Sequence, residues 1–230
     1  MAKHILLTGG GRGIGAAIAE ALRERGAKLF AATSADADLS EPHGPTLLWE
    51  KALEQLDGRV DVLINNAGIF EAAPISEPDA VWLASWQRTM TVNLEASACL
   101  CRSAVLAWQA RQCGGRIVNI ASRAAYRGDS PAHWHYAASK AGMVGMTKTI
   151  ARGYGREGIL AFAVCPGFTM TGAVDDYLAS RGGEALLADI PLGRVADPEE
   201  IARIATFLAL DAPPSMTGAI VDANGASYVR

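Results

Sequence analysis

Short apolar, β-prone runs alternate with longer segments of helical periodicity along the whole chain, and no other feature restricts the possible folds as much. The runs are His4 to Leu7, Lys28 to Ala32, Val60 to Ile64, Arg116 to Ile120, Leu160 to Val164 and Ala219 to Asp222. Helical spacing covers Ile14 to Arg25, Thr46 to Leu56, Asp79 to Gln112, Tyr136 to Gly153 and Pro198 to Leu210. This is the pattern of βα units winding a parallel sheet covered on both faces. The chain has 230 residues and no internal repeat, low-complexity tract or Pro/Gly/Ser-rich linker, so residues 1–230 read as a single α/β domain with a doubly wound parallel sheet.

Half of the residues are hydrophobic (50%) and only 20% are charged, which excludes disorder. A formal charge of -3 gives no basic field for nucleic acid or for an anionic membrane. Cys99, Cys101, Cys113 and Cys165 show neither a CxxC pair nor a secreted disulfide framework. The apolar run Ile5-Leu6-Leu7 stops too soon for a signal-peptide core, and no stretch approaches the roughly 20 apolar residues of a membrane span. A cytoplasmic protein is expected.

Directly after the first run comes Thr8-Gly9-Gly10-Gly11-Arg12-Gly13-Ile14-Gly15, and an apolar helix begins at once. Between a strand and a helix, glycines permit a tight turn and let a pyrophosphate reach backbone N–H groups at the positive end of the helix. The Lys-Ser/Thr ending of a P-loop is missing, so a dinucleotide is favoured over a nucleoside triphosphate. After the third run stands Asn65-Asn66-Ala67-Gly68, at the carboxyl end of a strand, where open α/β sheets hold ligands. Trp82, Trp86, Met90, Leu94 and Val105 recur at helical spacing and read as packing, with Asn93 as a polar amide beside them.

Tyr136 and Lys140 are spaced i, i+4 and share one face of a helix, while Ser122 lies at the end of the fourth run. A phenol titrates near pH 10, and bringing it to about 7 takes roughly 4 kcal/mol of differential stabilisation, to which a nearby ammonium contributes. Ser122 is placed to hold a substrate oxygen while Tyr136 transfers the proton. Rival chemistries fit less well. His133-Trp134-His135 puts two imidazoles at i, i+2 with no third ligand at a recognisable spacing, so no metal site is expected. Ile120-Ala121-Ser122-Arg123-Ala124 is not a GxSxG elbow, and Asp175-Asp176 read as solvated carboxylates. Asp197-Pro198-Glu199-Glu200 reads as the capped start of a helix.

Taken in order, the glycine loop, Asn65-Asn66-Ala67-Gly68, Asn93, Ser122, Tyr136-x-x-x-Lys140 and Pro166-Gly167-Phe168-Thr169 resemble the short-chain dehydrogenase/reductase family over essentially the whole chain. The resemblance implies a Rossmann-like fold and an NAD(P)-dependent oxidoreductase interconverting a ketone, or a 3-oxoacyl group, and a secondary alcohol. It implies Ser122, Tyr136, Lys140 and Asn93 as catalytic residues, with Lys140 on the nicotinamide ribose and Asn93 orienting a water. It implies cofactor contacts from Gly9, Gly11, Arg12, Gly13, Ile14 and Gly15, from Asn65, Ala67 and Gly68, from Tyr136 and Lys140, and from Pro166, Gly167 and Thr169. A homotetramer, or a homodimer, is the implied assembly, and Ala137, Ala138, Ala141, Gly142 and Gly145 would let helices approach closely. A nucleotide sensor of the same fold is the rival, disfavoured because Tyr and Lys are both present.

Two departures from the family pattern stand out. Ser34 to Thr46 is too short for the usual helix and strand, leaving Ala37-Asp38-Leu39 as a stub beside the adenine, and Asn224-Gly225-Ala226 replaces a double glycine. At the end of the second run Thr33 stands where NAD-preferring members carry an acid, Ser34 follows as a donor to a phosphate oxygen, and Arg12 is placed to meet a 2′-phosphate. NADP(H) is therefore favoured and NAD(H) remains possible, with Asp36 and Asp38 opposing the phosphate. Phe168, Met170, Tyr177, Tyr126 and Trp134 are expected to line a partly apolar pocket for a small carbonyl substrate.

Overall fold

A computed structural model of the protein describes residues 2–170 and 183–230. Six parallel strands form one sheet in the order β2-β1-β3-β4-β5-β6. They are β1 His4–Thr8, β2 Lys28–Ala32, β3 Val62–Asn65, β4 Gly115–Ile120, β5 Ile159–Pro166 and β6 Ile220–Ala223. The helices are α1 Gly13–Glu24, α2 Gly44–Gln55, α3 Asp79–Met90, α4 Ala96–Ala110, α5 Ala124–Arg127, α6 Trp134–Tyr154, α7 Gly183–Ala188 and α8 Pro198–Leu210. The doubly wound sheet is the one the alternation predicts. Its central strands are mostly apolar because helices cover both faces: Ile5, Val62 and Phe162 pack with Ile18 and Leu22 of α1 and Ile201 and Leu208 of α8. On the other face Leu6, Leu63 and Ile117 pack with α2, α4 and α6.

The chain runs outward from β1 to β2 and returns to β3 on the other side of β1, so the strand order reverses between β1 and β3. A crevice opens at the carboxyl ends of such a pair. The glycine loop leaves β1 there and Asn65-Asn66-Ala67-Gly68 leaves β3 there. β2 is an edge strand, as the short Ser34 to Thr46 segment requires, and Ala37-Asp38-Leu39 forms no strand.

The single helix expected over Asp79 to Gln112 is corrected in detail. It is α3 and α4 joined by a π-helical stretch, Thr91–Glu95, where the chain is widened by a turn with longer hydrogen-bonded rings. The expected packing stripe is only half right. Val105 is buried, but α3 buries only Thr89, and Trp82 and Trp86 are half-buried. Among the described residues no helix is long and apolar enough to cross a membrane.

Candidate active site

The glycine loop is shaped by close backbone approach. A Cβ on Gly15 would lie 2.0 Å from the Gly9 carbonyl oxygen, and Gly9 and Gly13 take positive φ of 67° and 52°. Only glycine fits the first position, and the left-handed region favours it at the other two. The buried Thr8 hydroxyl accepts the Asn66 and Ala67 amides, each at 3.0 Å, while Asn66 Nδ2 donates to the Gly9 carbonyl at 3.0 Å. The two ligand loops are thus tied together. α1 then starts with no side-chain cap and no acid in its first turn, leaving its first N–H groups and its positive dipole end to an incoming anion. These features fit a dinucleotide pyrophosphate.

Asn65 behaves differently from its neighbours. Its Nδ2 donates to Asn119 Oδ1 at 2.8 Å, and Asn119 Nδ2 donates to Thr147 Oγ1 at 2.8 Å, a buried polar chain from β3 through β4 to α6. The Asn65 side chain is therefore engaged with the sheet, and Asn119 carries the chain of hydrogen bonds on to α6.

Ser122, at the end of β4, is buried and accepts the Ala124 amide at 3.1 Å. Burial pushes the Tyr136 phenol up to about 12, and a hydrogen bond with Ser122 works against that rise. One turn along α6, Lys140 is buried and its ammonium lies 5.8 Å from the Tyr136 ring centroid. Desolvation brings Lys140 down to about 8, while its Nζ donates to the Ile120 carbonyl at 2.8 Å. A lysine in that range still carries its charge at neutral pH.

Asn93 occupies the π-helical stretch and is fully buried. Its Oδ1 accepts the Ile69 amide at 2.8 Å, and its Nδ2 donates to the Ile69 carbonyl at 3.0 Å and to Ser139 Oγ at 3.3 Å. A Cβ on Gly68 would sit 3.2 Å from Asn93 Oδ1 and 3.6 Å from Lys140 Nζ, so Gly68, Asn93 and Lys140 surround one small space. Nothing in the sequence marks the π-helix that sets this register.

At the end of β2, Asp36 is folded onto Thr33: its Oδ2 accepts the Thr33 amide at 2.8 Å and the Thr33 hydroxyl at 3.1 Å. Asp38 is turned onto Ser40, while Leu39 packs against the core, Ser34 and Arg12 are exposed and Gly11 lies beside Thr33. Pro166 ends β5, and Thr169 is buried with its hydroxyl donating to the Gly167 carbonyl at 3.3 Å. Gly225 and Ala226 have φ of 62° and 63°, so the alanine standing in place of a second glycine holds a left-handed conformation.

The expected pocket residues divide. Phe168 packs with Ile190 and Val195 under the Arg123 guanidinium, Trp134 is an exposed rim residue against Trp82, and Tyr177, like Asp175 and Asp176, lies outside the described residues. Tyr126 is corrected: it stacks on Tyr228, and its hydroxyl accepts Arg230 Nη1 at 3.0 Å, so it serves the C-terminal tail. The histidines are not equivalent. His133 lies flat on Phe70 with ring centroids 4.0 Å apart, whereas His135 is buried and stacks on Trp86. No group of three His, Cys, Asp or Glu side chains suited to a metal occurs among the described residues. Phe70 is a site residue that sequence reasoning missed, and Asn66, read only as part of its loop, was given no contact of its own; Asn66 adjoins Ala67-Gly68 and was the easier to suspect, whereas Phe70 lies two residues beyond Gly68.

A family profile described as "Enoyl-(Acyl carrier protein) reductase" matches residues 34–225. An acetoacetyl-CoA reductase of Shinella zoogloeoides is 33% identical, with 99% of each chain covered. A 3-oxoacyl-[acyl-carrier-protein] reductase of Vibrio cholerae is 34% identical, covering 99% of this chain and 98% of that one. Among solved structures, a putative NAD(P) dependent gluconate 5-dehydrogenase from Beutenbergia cavernae with bound NADP superposes with a TM-score of 0.88 at 34% identity, covering 98% of this chain and 96% of that one.

Proposed function

The chain belongs to the short-chain dehydrogenase/reductase family, and from that premise we propose that Tyr136 is the general acid and base of its reaction. The protein is an NAD(P)-dependent oxidoreductase that interconverts a ketone, or a 3-oxoacyl group, and a secondary alcohol. When bound, the nicotinamide supplies or accepts the hydride. In the reducing direction Ser122 holds the carbonyl oxygen and Tyr136 gives it a proton. Lys140 favours the resulting phenolate by its charge and takes the nicotinamide ribose, and Asn93 orients a water in the space it shares with Gly68. Cofactor contacts come from the glycine loop, from Ala67 and Gly68 with the Asn65 backbone, and from Pro166, Gly167 and Thr169. The observation that carries the reading is the half-buried Tyr136 and the buried Lys140 one turn apart on α6, with the Lys140 ammonium 5.8 Å from the Tyr136 ring and the buried Ser122 just past the end of β4.

Tyr136→Phe removes the proton donor and leaves the glycine loop intact. It should lower kcat by about 100-fold to 10,000-fold, the range for a lost acid–base group, with little change in cofactor Kd. Near-normal kcat in steady-state kinetics with a ketone panel would sink the mechanism.

NADP(H) is the favoured cofactor in this reading. Arg12 is exposed at the loop, and the Asp36 and Asp38 carboxylates are turned onto Thr33 and Ser40, which spends part of their charge locally. Residues 1–230 act as one unit, and self-association as a tetramer is favoured through α4 and α6. On α4 Leu106 is 48% exposed, and on α6 a Cβ at Gly145 would meet nothing within 4 Å, which leaves room for a partner helix. Gly142 serves the subunit itself, because its Cβ would strike Leu94. Light scattering that gives a 24.1 kDa species at micromolar concentration would reject the tetramer. The cytoplasm fits the four free thiols, and cell fractionation is its check.

A further inference from the structure

Two aromatic side chains adjoin the proton donor and take no part in the proton path. The Phe70 ring meets the Tyr136 ring edge-on, with centroids 4.8 Å apart and planes at 78°, and it lies flat on His133 at 4.0 Å and 5°. Phe70 is nevertheless 52% exposed, so an apolar ring is held open to solvent beside the reacting phenol. Both partners are fixed from behind. Asn93 clamps the backbone of Ile69, the residue before Phe70, through its amide and carbonyl. The Ser130 hydroxyl and His133 Nδ1 are hydrogen-bonded at 2.7 Å, which sets the plane of the imidazole. Burial lowers the pKa of His133 against the pull of Asp129, so at neutral pH the stack is uncharged. The guanidinium groups flanking this part of the molecule are paired: Arg88 with Glu71, and Arg127 and Arg123 with Asp189. What is offered next to Tyr136 is a rigid neutral π surface, and such surfaces reward a second ring in offset or edge-on contact.

We propose that Phe70 and His133 form a specificity wall that selects carbonyl compounds bearing an unsaturated ring next to the C=O, the aryl ketones and their benzylic alcohols, over acyl thioesters. This rests on the reductase reading and leaves its chemistry unchanged: the carbonyl carbon takes hydride from the reduced cofactor, and the oxygen takes a proton from Tyr136. Acetophenone and cyclohexyl methyl ketone separate planarity from bulk, and acetoacetyl-CoA represents the thioesters.

In the wild type, kcat/KM for acetophenone should exceed that for acetoacetyl-CoA. Phe70→Leu, which keeps apolar bulk without the ring, should lower the acetophenone to cyclohexyl methyl ketone ratio of kcat/KM by about threefold to tenfold, chiefly through KM for acetophenone. Phe70→Tyr should retain the ratio. Taking the ratio cancels the intrinsic reactivities of the two ketones. A ratio unchanged in Phe70→Leu, or a wild-type preference for acetoacetyl-CoA, overturns the wall while the reductase stands. Should no carbonyl probe be turned over, saturation-transfer NMR on the enzyme–cofactor complex decides. Acetophenone binding that is lost in Phe70→Leu supports the wall and overturns only the reductase reading; no binding overturns both.

Discussion

Helices α1 and α8 pack side by side on one face of the sheet, sharing the cluster of Ile18, Leu22, Ile201 and Leu208, yet their N-termini are finished in opposite ways. α8 starts at a proline, carries Glu199 and Glu200 in its first turn, and has a capping box in which Glu200 Oε2 accepts the Asp197 amide at 2.9 Å. Arg194 clasps the same carboxylate through both guanidinium arms. α1 starts from Arg12 with no side-chain cap and no acid. A helix start without caps leaves N–H groups and a partial positive charge unmet, which costs stability unless something else meets them. The difference is that the α8 end is closed by its own side chains, whereas the α1 end, beside the glycine loop, leaves its N–H groups for the anion that the proposed function puts there.

The largest effect should come from closing the α1 end. Gly15→Ala drives a methyl group to within 2.0 Å of the Gly9 oxygen, so the loop must move. Cofactor Kd, followed by fluorescence titration, should rise at least about 100-fold, equivalent to about 2.7 kcal/mol. A wild-type Kd in a folded Gly15→Ala protein would break the comparison.

Arg12→Ala leaves the backbone cradle in place and removes one charge. It should reduce kcat/KM for NADPH by about tenfold and that for NADH much less, since a hydrogen bond to a charged group is worth about 1.5–3 kcal/mol and exposure lowers that figure. Equal losses with the two cofactors, or a higher kcat/KM with NADH than with NADPH in the wild type, would remove the NADP(H) preference.

The smallest effect belongs to the α8 end. Glu200→Ala should cost about 1–2 kcal/mol in denaturant unfolding, from the cap and a partly exposed ion pair, with kcat/KM unchanged. Hydrogen bonds from Arg194 and from the Asp197 amide hold the Glu200 carboxyl down at about 2 from an ordinary 4.5. A lowered carboxylate contributes stability above its unfolded value, so the Glu200 increment is complete above about pH 4.5 and disappears as the pH falls towards about 2. Urea melts of wild type and Glu200→Ala that stay equally far apart at neutral pH and near pH 2 would contradict this assignment.

The same contrast separates what was legible in the chain from what was not. The glycine loop, the cap of α8 and the Tyr136/Lys140 pair are local: their residues lie within one turn or one loop, and backbone geometry alone relates them. Asn65, Asn93 and Phe70 are not local. Asn65 reads as part of a ligand loop, yet strand alternation turns its side chain onto the sheet face covered by α4 and α6, beside Asn119. Asn93 faces Ile69 because a π-helical stretch resets the register between α3 and α4, and its sequence, Thr91-Val92-Asn93-Leu94-Glu95, carries no mark of that.

By itself, then, the sequence determined the alternation of strand and helix, the glycines that let one helix start lie bare, and the spacing that puts a phenol and an ammonium on one helical face. These follow from period, backbone freedom and short-range sterics. Only the tertiary structure decided that Phe70 would lie on His133 and edge-on to Tyr136, and that Lys140 would be stripped of water beside its tyrosine. The Phe70 contacts join residues far apart in the chain, and the desolvation of Lys140 depends on burial, which no residue possesses until the helices close over the sheet.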